Sequence, residues 1–115
     1  MLRHLFRSKL HRATVTATNL SYQGSLTIDQ SLLQAAEISE FEQIQVLNLN
    51  NGERFWTYAI SGPAGSGCIE VNGAAARQAQ AGDLLIVISY GLYEPGELAG
   101  HQPVVVQLNP QNQPL

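Results

Sequence analysis

Between Arg12 and Thr18 apolar and polar residues alternate, with Ala13, Val15 and Ala17 on one side and Thr14, Thr16 and Thr18 on the other. A period of two predicts a strand with one buried face. Asp29 is placed to cap a short helix from Gln30 to about Glu37, with Ile28 stapled onto Leu33 and with Ile28, Leu32 and Ala36 along one face. Gln43–Leu49 and Arg54–Ile60 are two β-rich runs, and the Asn51-Gly52 pair between them predicts a type I′ hairpin turn. Gly62–Gly67 predicts a flexible loop, Cys68–Val71 a short strand, and Asn72-Gly73 a turn leading into one helical turn at Ala74–Arg77. Leu84–Tyr90 is almost wholly apolar and predicts a central strand covered on both faces, and Pro103–Leu108 predicts a last strand. Six or so short strands with little helix imply a small closed β-barrel. Residues 109–115, rich in Pro, Gln and Asn, are expected to be a disordered tail.

Composition narrows the picture. At 115 residues the chain supports one core, so residues 1–115 are expected to form a single domain. No apolar run is long enough to span a bilayer, and Leu5-Phe6 is too short for the apolar segment of a secretory signal, so a cytoplasmic protein without a membrane partner is expected. The single cysteine, Cys68, cannot form an intrachain disulfide and has no metal-ligand spacing around it; it is expected in the core, and no metal site is expected. A net charge of −3 argues against nucleic acid as the main partner. Yet Arg3, His4, Arg7, Lys9, His11 and Arg12 hold six of the nine Lys, Arg and His residues within the first twelve positions. That cluster reads either as a solvated basic edge strand or as an anion site.

Taken one at a time, the chemical signals are weak. There is no Walker loop, HExxH, nucleophile elbow or CxxC. Gly24-Ser25 alone reads as a turn glycine before a strand-starting serine, and Gly65-Ser66 repeats it. Several separated segments, however, occur together in register: Ser8-Lys-Leu-His-Arg12, Tyr22-Gln-Gly-Ser25 followed by Ile28-Asp29, Asn51-Gly-Glu-Arg-Phe55, Thr57-Tyr-Ala-Ile60 and Val71-Asn-Gly-Ala-Ala-Ala76. In this combination the chain resembles the aspartate α-decarboxylase family.

The resemblance implies a six-stranded double-psi β-barrel with short helices, assembled as a homotetramer with active sites between subunits. It implies a carboxy-lyase that converts L-aspartate to β-alanine and CO2 for pantothenate and coenzyme A synthesis. The cofactor would be a covalent pyruvoyl group made from Ser25 when the precursor cuts itself between Gly24 and Ser25 into fragments 1–24 and 25–115. Glycine before the serine permits a strained backbone, and the Ser25 hydroxyl can then attack the Gly24 carbonyl. An α-keto amide that forms an imine with the substrate amine is a sufficient electron sink, which removes the need for pyridoxal phosphate.

By the same resemblance Thr57 holds the oxyanion formed during processing and contributes to substrate binding, and Tyr58 is the proton donor to the substrate carbon. Lys9 and Arg54 meet the two carboxylates, Arg54 with a bidentate fork. Asn72, Gly73, Ala74 and Ala75 offer an amide side chain and backbone N–H groups, and His11 and Tyr22 are further candidates to line the site. In a regular strand Arg54 and Tyr58 share a face while Thr57 points away, which a shared subunit boundary or a bulge would reconcile. Leu47, where relatives are expected to carry an aromatic, Trp56 in place of a small residue, and the short C-terminal tail leave pocket size and subunit contacts open. So does the question of whether processing is spontaneous or needs a maturation factor. Two other readings fit parts of the pattern: a non-catalytic β-barrel binding module with Gly24-Ser25 intact, and a self-processing amidohydrolase with a free N-terminal nucleophile.

Overall fold

A computed structural model describes all residues 1–115. The chain is mainly β, with eight strands in one sheet: β1 (Arg3–Thr14), β2 (Ala17–Asn19), β3 (Ser25–Asp29), β4 (Gln43–Asn48), β5 (Arg54–Gly62), β6 (Ile69–Asn72), β7 (Leu84–Tyr93) and β8 (Val104–Gln107). One α-helix, α1 (Gln30–Ala36), and two short 3-10 helices, Gly73–Gln78 and Pro95–Glu97, complete it. The strand order is β2-β6-β3-β5-β4-β7-β1-β8. β1 and β2 lie near opposite ends of that order, yet only Val15 and Thr16 separate them in sequence. The two ends must therefore meet, and they do: the Val15 N–H donates to the Asp83 carbonyl and the Thr16 N–H to the Ile69 carbonyl, both at 2.8 Å. The sheet thus curls round on itself into a barrel, with β2 and β8 each paired along one side only.

Alternation along the strands fills the interior. Leu10 and Ala13 of β1, Leu26 and Ile28 of β3, Ile44 and Val46 of β4, Val71 of β6, and Leu85 and Val87 of β7 belong to one core cluster. Full burial of a Leu, Ile or Val side chain stabilises the fold by about 1.5–3 kcal/mol. The α1 helix closes one side as its sequence predicts, since Asp29 accepts a hydrogen bond from the Ser31 N–H at 2.8 Å and Leu32, Leu33 and Ala36 are buried. The helix stops at Glu37, which takes a left-handed conformation and sends its N–H back to the last turn.

Several expectations from the sequence are corrected. The β4–β5 connection is not a two-residue type I′ turn, because Gly52 alone has positive φ and Asn51 does not, whereas type I′ needs both. Instead Asn48 closes a wider loop by pairing its N–H with the Glu53 carbonyl and its own carbonyl with the Gly52 N–H, both at 2.9 Å. The strand count exceeds six because the strand predicted from Arg12 to Thr18 is interrupted at Val15-Thr16, which divides it between the end of β1 and β2, and because the short β3 hides in front of the helix cap; β1 itself begins earlier, at Arg3. The β7 strand is not covered on both faces: Leu85, Val87 and Ser89 are buried while Ile86 and Ile88 are half-buried.

The Gly62–Gly67 loop is pinned, not loose, with the Asp29 carboxylate accepting from the Gly65 and Gly67 N–H groups at 3.0 and 2.8 Å. Cys68 is half-buried, its sulfur packed where a side chain on Gly62 would lie. Residues 109–115 fold back onto the barrel instead of fraying. Asn112 is 3% exposed, accepts from the Thr14 N–H at 2.7 Å and donates to the Thr14 and Gly67 carbonyls at 2.9 and 2.8 Å. Its side chain supplies the hydrogen bonds that a Pro- and Gln-rich composition would leave to water.

Candidate active site

Topology forms the site. β2 and β3 flank β6 on either side, so the connection Leu20–Gly24 has to cross the end of β6, where Asn72 and Gly73 lie. Register makes the crossing tight, because Asn72 pairs with Asn19 on one side and with Ser25 on the other.

Ser25 opens β3 and is fully buried. Its hydroxyl accepts a hydrogen bond from the Asn72 side-chain amide at 2.9 Å and donates to the Gln23 carbonyl at a long 3.4 Å. The same Asn72 nitrogen donates to the Thr27 hydroxyl at 2.9 Å, so both of its hydrogens are used on neighbouring β3 side chains. Leu26 pairs with Ala59, and one step back along these parallel strands sets Ser25 beside Tyr58. Leu26 and Ala59 face the core, so Ser25 and Tyr58 turn to the opposite face. Ser25, Asn72 and Tyr58 therefore gather on one side of the sheet.

Gly24 itself shows no left-handed strain. Its φ is not positive, and a Cβ added there would meet nothing within 4 Å. The tight glycine is Gly73, at φ +68, whose backbone packs directly against that of Gly24.

Other expected residues lie elsewhere in the chain. Thr57 shares the inward face with Ala59 and with its partner Ile44, both fully buried, and the hydrogen bonds of the Ser25 hydroxyl are with Gln23 and Asn72. Arg54 is exposed, four residues from Tyr58 and about 13 Å away along β5. Lys9 and His11 lie on β1, three strands from β5 and about 14 Å from it across the sheet. Register places them in two outward rows: Val105, Lys9, Ile88, Gln45 and Trp56 in one, and Gln107, His11, Ile86, Leu47 and Arg54 in the other. Burial, then the positive charges of Lys9 and Arg12, lower the His11 pKa, and its Nδ1 atom is buried without a partner. Arg7 is committed to structure, bonded to the Glu37 carbonyl, Glu42 and Ser89. Tyr22 and Ala74 are exposed, and Ala75 is half-buried against the core.

The isolated chain has no enclosed pocket at Ser25. Its two roomiest cavities, each about 340 Å3, lie beside Asp29 and the Gly65–Gly67 loop and among His4, Trp56 and Tyr90. Thr27, which the sequence reading did not single out, joins the site through Asn72; its place on β3 opposite Glu70 becomes visible only once the strands are paired.

Comparison with known proteins shows the family to which the chain belongs. A family model described as Aspartate decarboxylase matches residues 1–115. The chain belongs to that family. Among relatives in this aspartate decarboxylase family, the aspartate 1-decarboxylase of Syntrophobacter fumaroxidans is 56% identical over 115 residues, covering 100% of this chain and 93% of the relative. That of Desulfotalea psychrophila is 55% identical over 112 residues, 97% of this chain and 94% of the relative. That of Thermoanaerobacter pseudethanolicus is 50% identical over 115 residues, 100% and 98% respectively. The serine buried beside Asn72 is thus set in a chain whose whole length follows the family pattern.

Proposed function

We propose that the chain is the precursor of a pyruvoyl-dependent aspartate 1-decarboxylase that produces β-alanine and CO2 for pantothenate synthesis. The observation that carries this reading is the Gly24-Ser25 bond, ending in a fully buried serine whose hydroxyl is held at 2.9 Å by Asn72. In processing, Ser25 Oγ bonds to the Gly24 carbonyl carbon as the C–N bond breaks, and the hydroxyl proton passes to the released nitrogen. Loss of the Ser25 α-proton then expels residues 1–24 as a carboxylate. Water displaces ammonia from the dehydroalanine left behind, and residue 25 becomes pyruvoyl. Burial of Ser25 and the amide donor beside it suit such a group, which must be shielded from bulk water while a donor faces residue 25.

Once present, the pyruvoyl group supplies the electron-withdrawing ketone that makes loss of the α-carboxylate feasible. The chain's own residues bind and deliver protons. Tyr58, beside Ser25 in register, carries the proton that replaces CO2 on the substrate carbon. Arg54 and Lys9 hold the two carboxylates of L-aspartate, and Asn72 through Ala75 frame the substrate with amide donors. Lys9 is four strands from Ser25 within one chain, and the rows around it expose Trp56 and Val105 beside Ile86 and Ile88. Both observations support a site completed by a neighbouring subunit, in an assembly we take to be a homotetramer, with or without a maturation factor for cleavage.

The test is mass spectrometry of purified protein together with β-alanine release from L-aspartate without added pyridoxal phosphate. Fragments 1–24 and 25–115, the latter with a pyruvoyl terminus, are expected, and Ser25→Ala should stay intact. A single full-length species with no β-alanine would overturn the reading.

A further inference from the structure

We propose that Gly73 is a positioning residue for self-cleavage: the missing side chain at 73 lets the Gly24 backbone sit where Ser25 Oγ can reach its carbonyl. This rests on the cleavage reading above and adds a residue that acts before any substrate binds. The connection from β2 to β3 passes over the end of β6 and bears down on residue 73. A Cβ built on Gly73 would lie 2.7 Å from both the nitrogen and the Cα of Gly24 and 3.0 Å from the Tyr22 carbonyl oxygen. Both neighbours are backbone atoms, which cannot swing aside as a flexible side chain would. Ordinary contact begins at about 3.4 Å, so a methyl group there would push the acyl half of the scissile bond by several tenths of an ångström.

The amine half is held separately, since Asn72 fixes the Ser25 hydroxyl and the β3–β6 ladder fixes its backbone. Consecutive residues thus hold the two halves of one bond, Asn72 by what its side chain donates and Gly73 by having none. A displacement at Gly73 would open the gap between Oγ and the Gly24 carbonyl carbon without moving Ser25. Because a misplacement near 1 Å costs about 10²-fold in a positioned reaction, the effect should be large. Gly24, with open space where a Cβ of its own would lie, does not carry this constraint.

The experiment compares cleavage of freshly synthesised Gly73→Ala, Gly73→Asn and Gly52→Ala precursors with wild type by intact mass. Folding is followed by circular dichroism, and ester content by hydroxylamine sensitivity. Gly52 also has positive φ, +77, but open space around it, so Gly52→Ala carries the backbone strain without the contact and should cleave at the wild-type rate. Asparagine tolerates positive φ yet keeps a Cβ, so Gly73→Asn retains the contact with little strain. Both Gly73 variants should fold, cleave about 100-fold more slowly and accumulate no hydroxylamine-sensitive ester. Wild-type cleavage by a folded Gly73→Asn, ester build-up in either Gly73 variant, or loss of fold in both would overturn the proposal. If the wild-type chain itself stays uncut between Gly24 and Ser25, it is the functional reading that fails.

Discussion

Replacing Asn72 by alanine tests how the nucleophile is held. The variant deletes the 2.9 Å hydrogen bonds to the Ser25 and Thr27 hydroxyls and touches neither hydroxyl itself. The Ser25 side chain has three staggered wells, and a neutral hydrogen bond favours one of them by about 0.5–1.5 kcal/mol. At about 1.4 kcal/mol per tenfold, cleavage should slow by roughly two- to twelve-fold. Stability should fall by about 1–3 kcal/mol because the buried hydroxyls lose their donor. Thr27→Val deletes only the second contact and should change the cleavage half-life less than twofold. The assay is the precursor half-life by intact mass after cell-free synthesis, with thermal melts for stability. An unchanged half-life in folded Asn72→Ala would show that the hydrogen bond does not hold the nucleophile. A slowing beyond about a thousandfold would mean that Asn72 takes part in the chemistry and does more than orient.

Three further outcomes are expected. Tyr58→Phe should process normally yet turn over aspartate ~10²–10⁴ more slowly. Full activity in that variant would remove the role. Co-expression of Ser25→Ala chains, which keep Lys9, with Lys9→Ala chains, which keep the processed residue, should restore part of the β-alanine production that each lacks alone; no recovery in a verified mixed oligomer would place Lys9 and Ser25 of one site in the same chain. Finally, burial raises the Asp29 pKa but hydrogen bonds from the Ser31 hydroxyl and from the Gly67, Ser31 and Gly65 N–H groups outweigh it, so the net shift is downward. Its stabilisation is then present above the unfolded carboxylate pKa of about 3.9 and is lost as pH falls through the lower folded value. Asp29→Asn should flatten this acid limb and lower the neutral-pH melting temperature by at least about 5 °C, and melts from pH 2 to 7 that superimpose in shape would refute it.

By itself the sequence determined the features that are local. Alternation reports the inward positions Ala13, at the end of β1, and Val15, just beyond it, and Asp29 before Ser31 and Leu32 reports a helix start, because burial period and capping act over a few residues. The family pattern likewise brought out Ser25, Tyr58 and Asn72 by joint spacing. Tertiary structure decided what depends on which strands become neighbours. β3 is five residues long and shows no clear period of its own; pairing with β5 and β6 makes it a strand and sets Ser25 beside Tyr58 and Asn72. Strand order alone separates Lys9 from Ser25 and carries the Leu20–Gly24 connection over Gly73. The glycine constraint near the scissile bond therefore falls at residue 73, not residue 24. Steric contact between segments nearly fifty residues apart leaves no trace in local periodicity, since it arises only when the sheet closes.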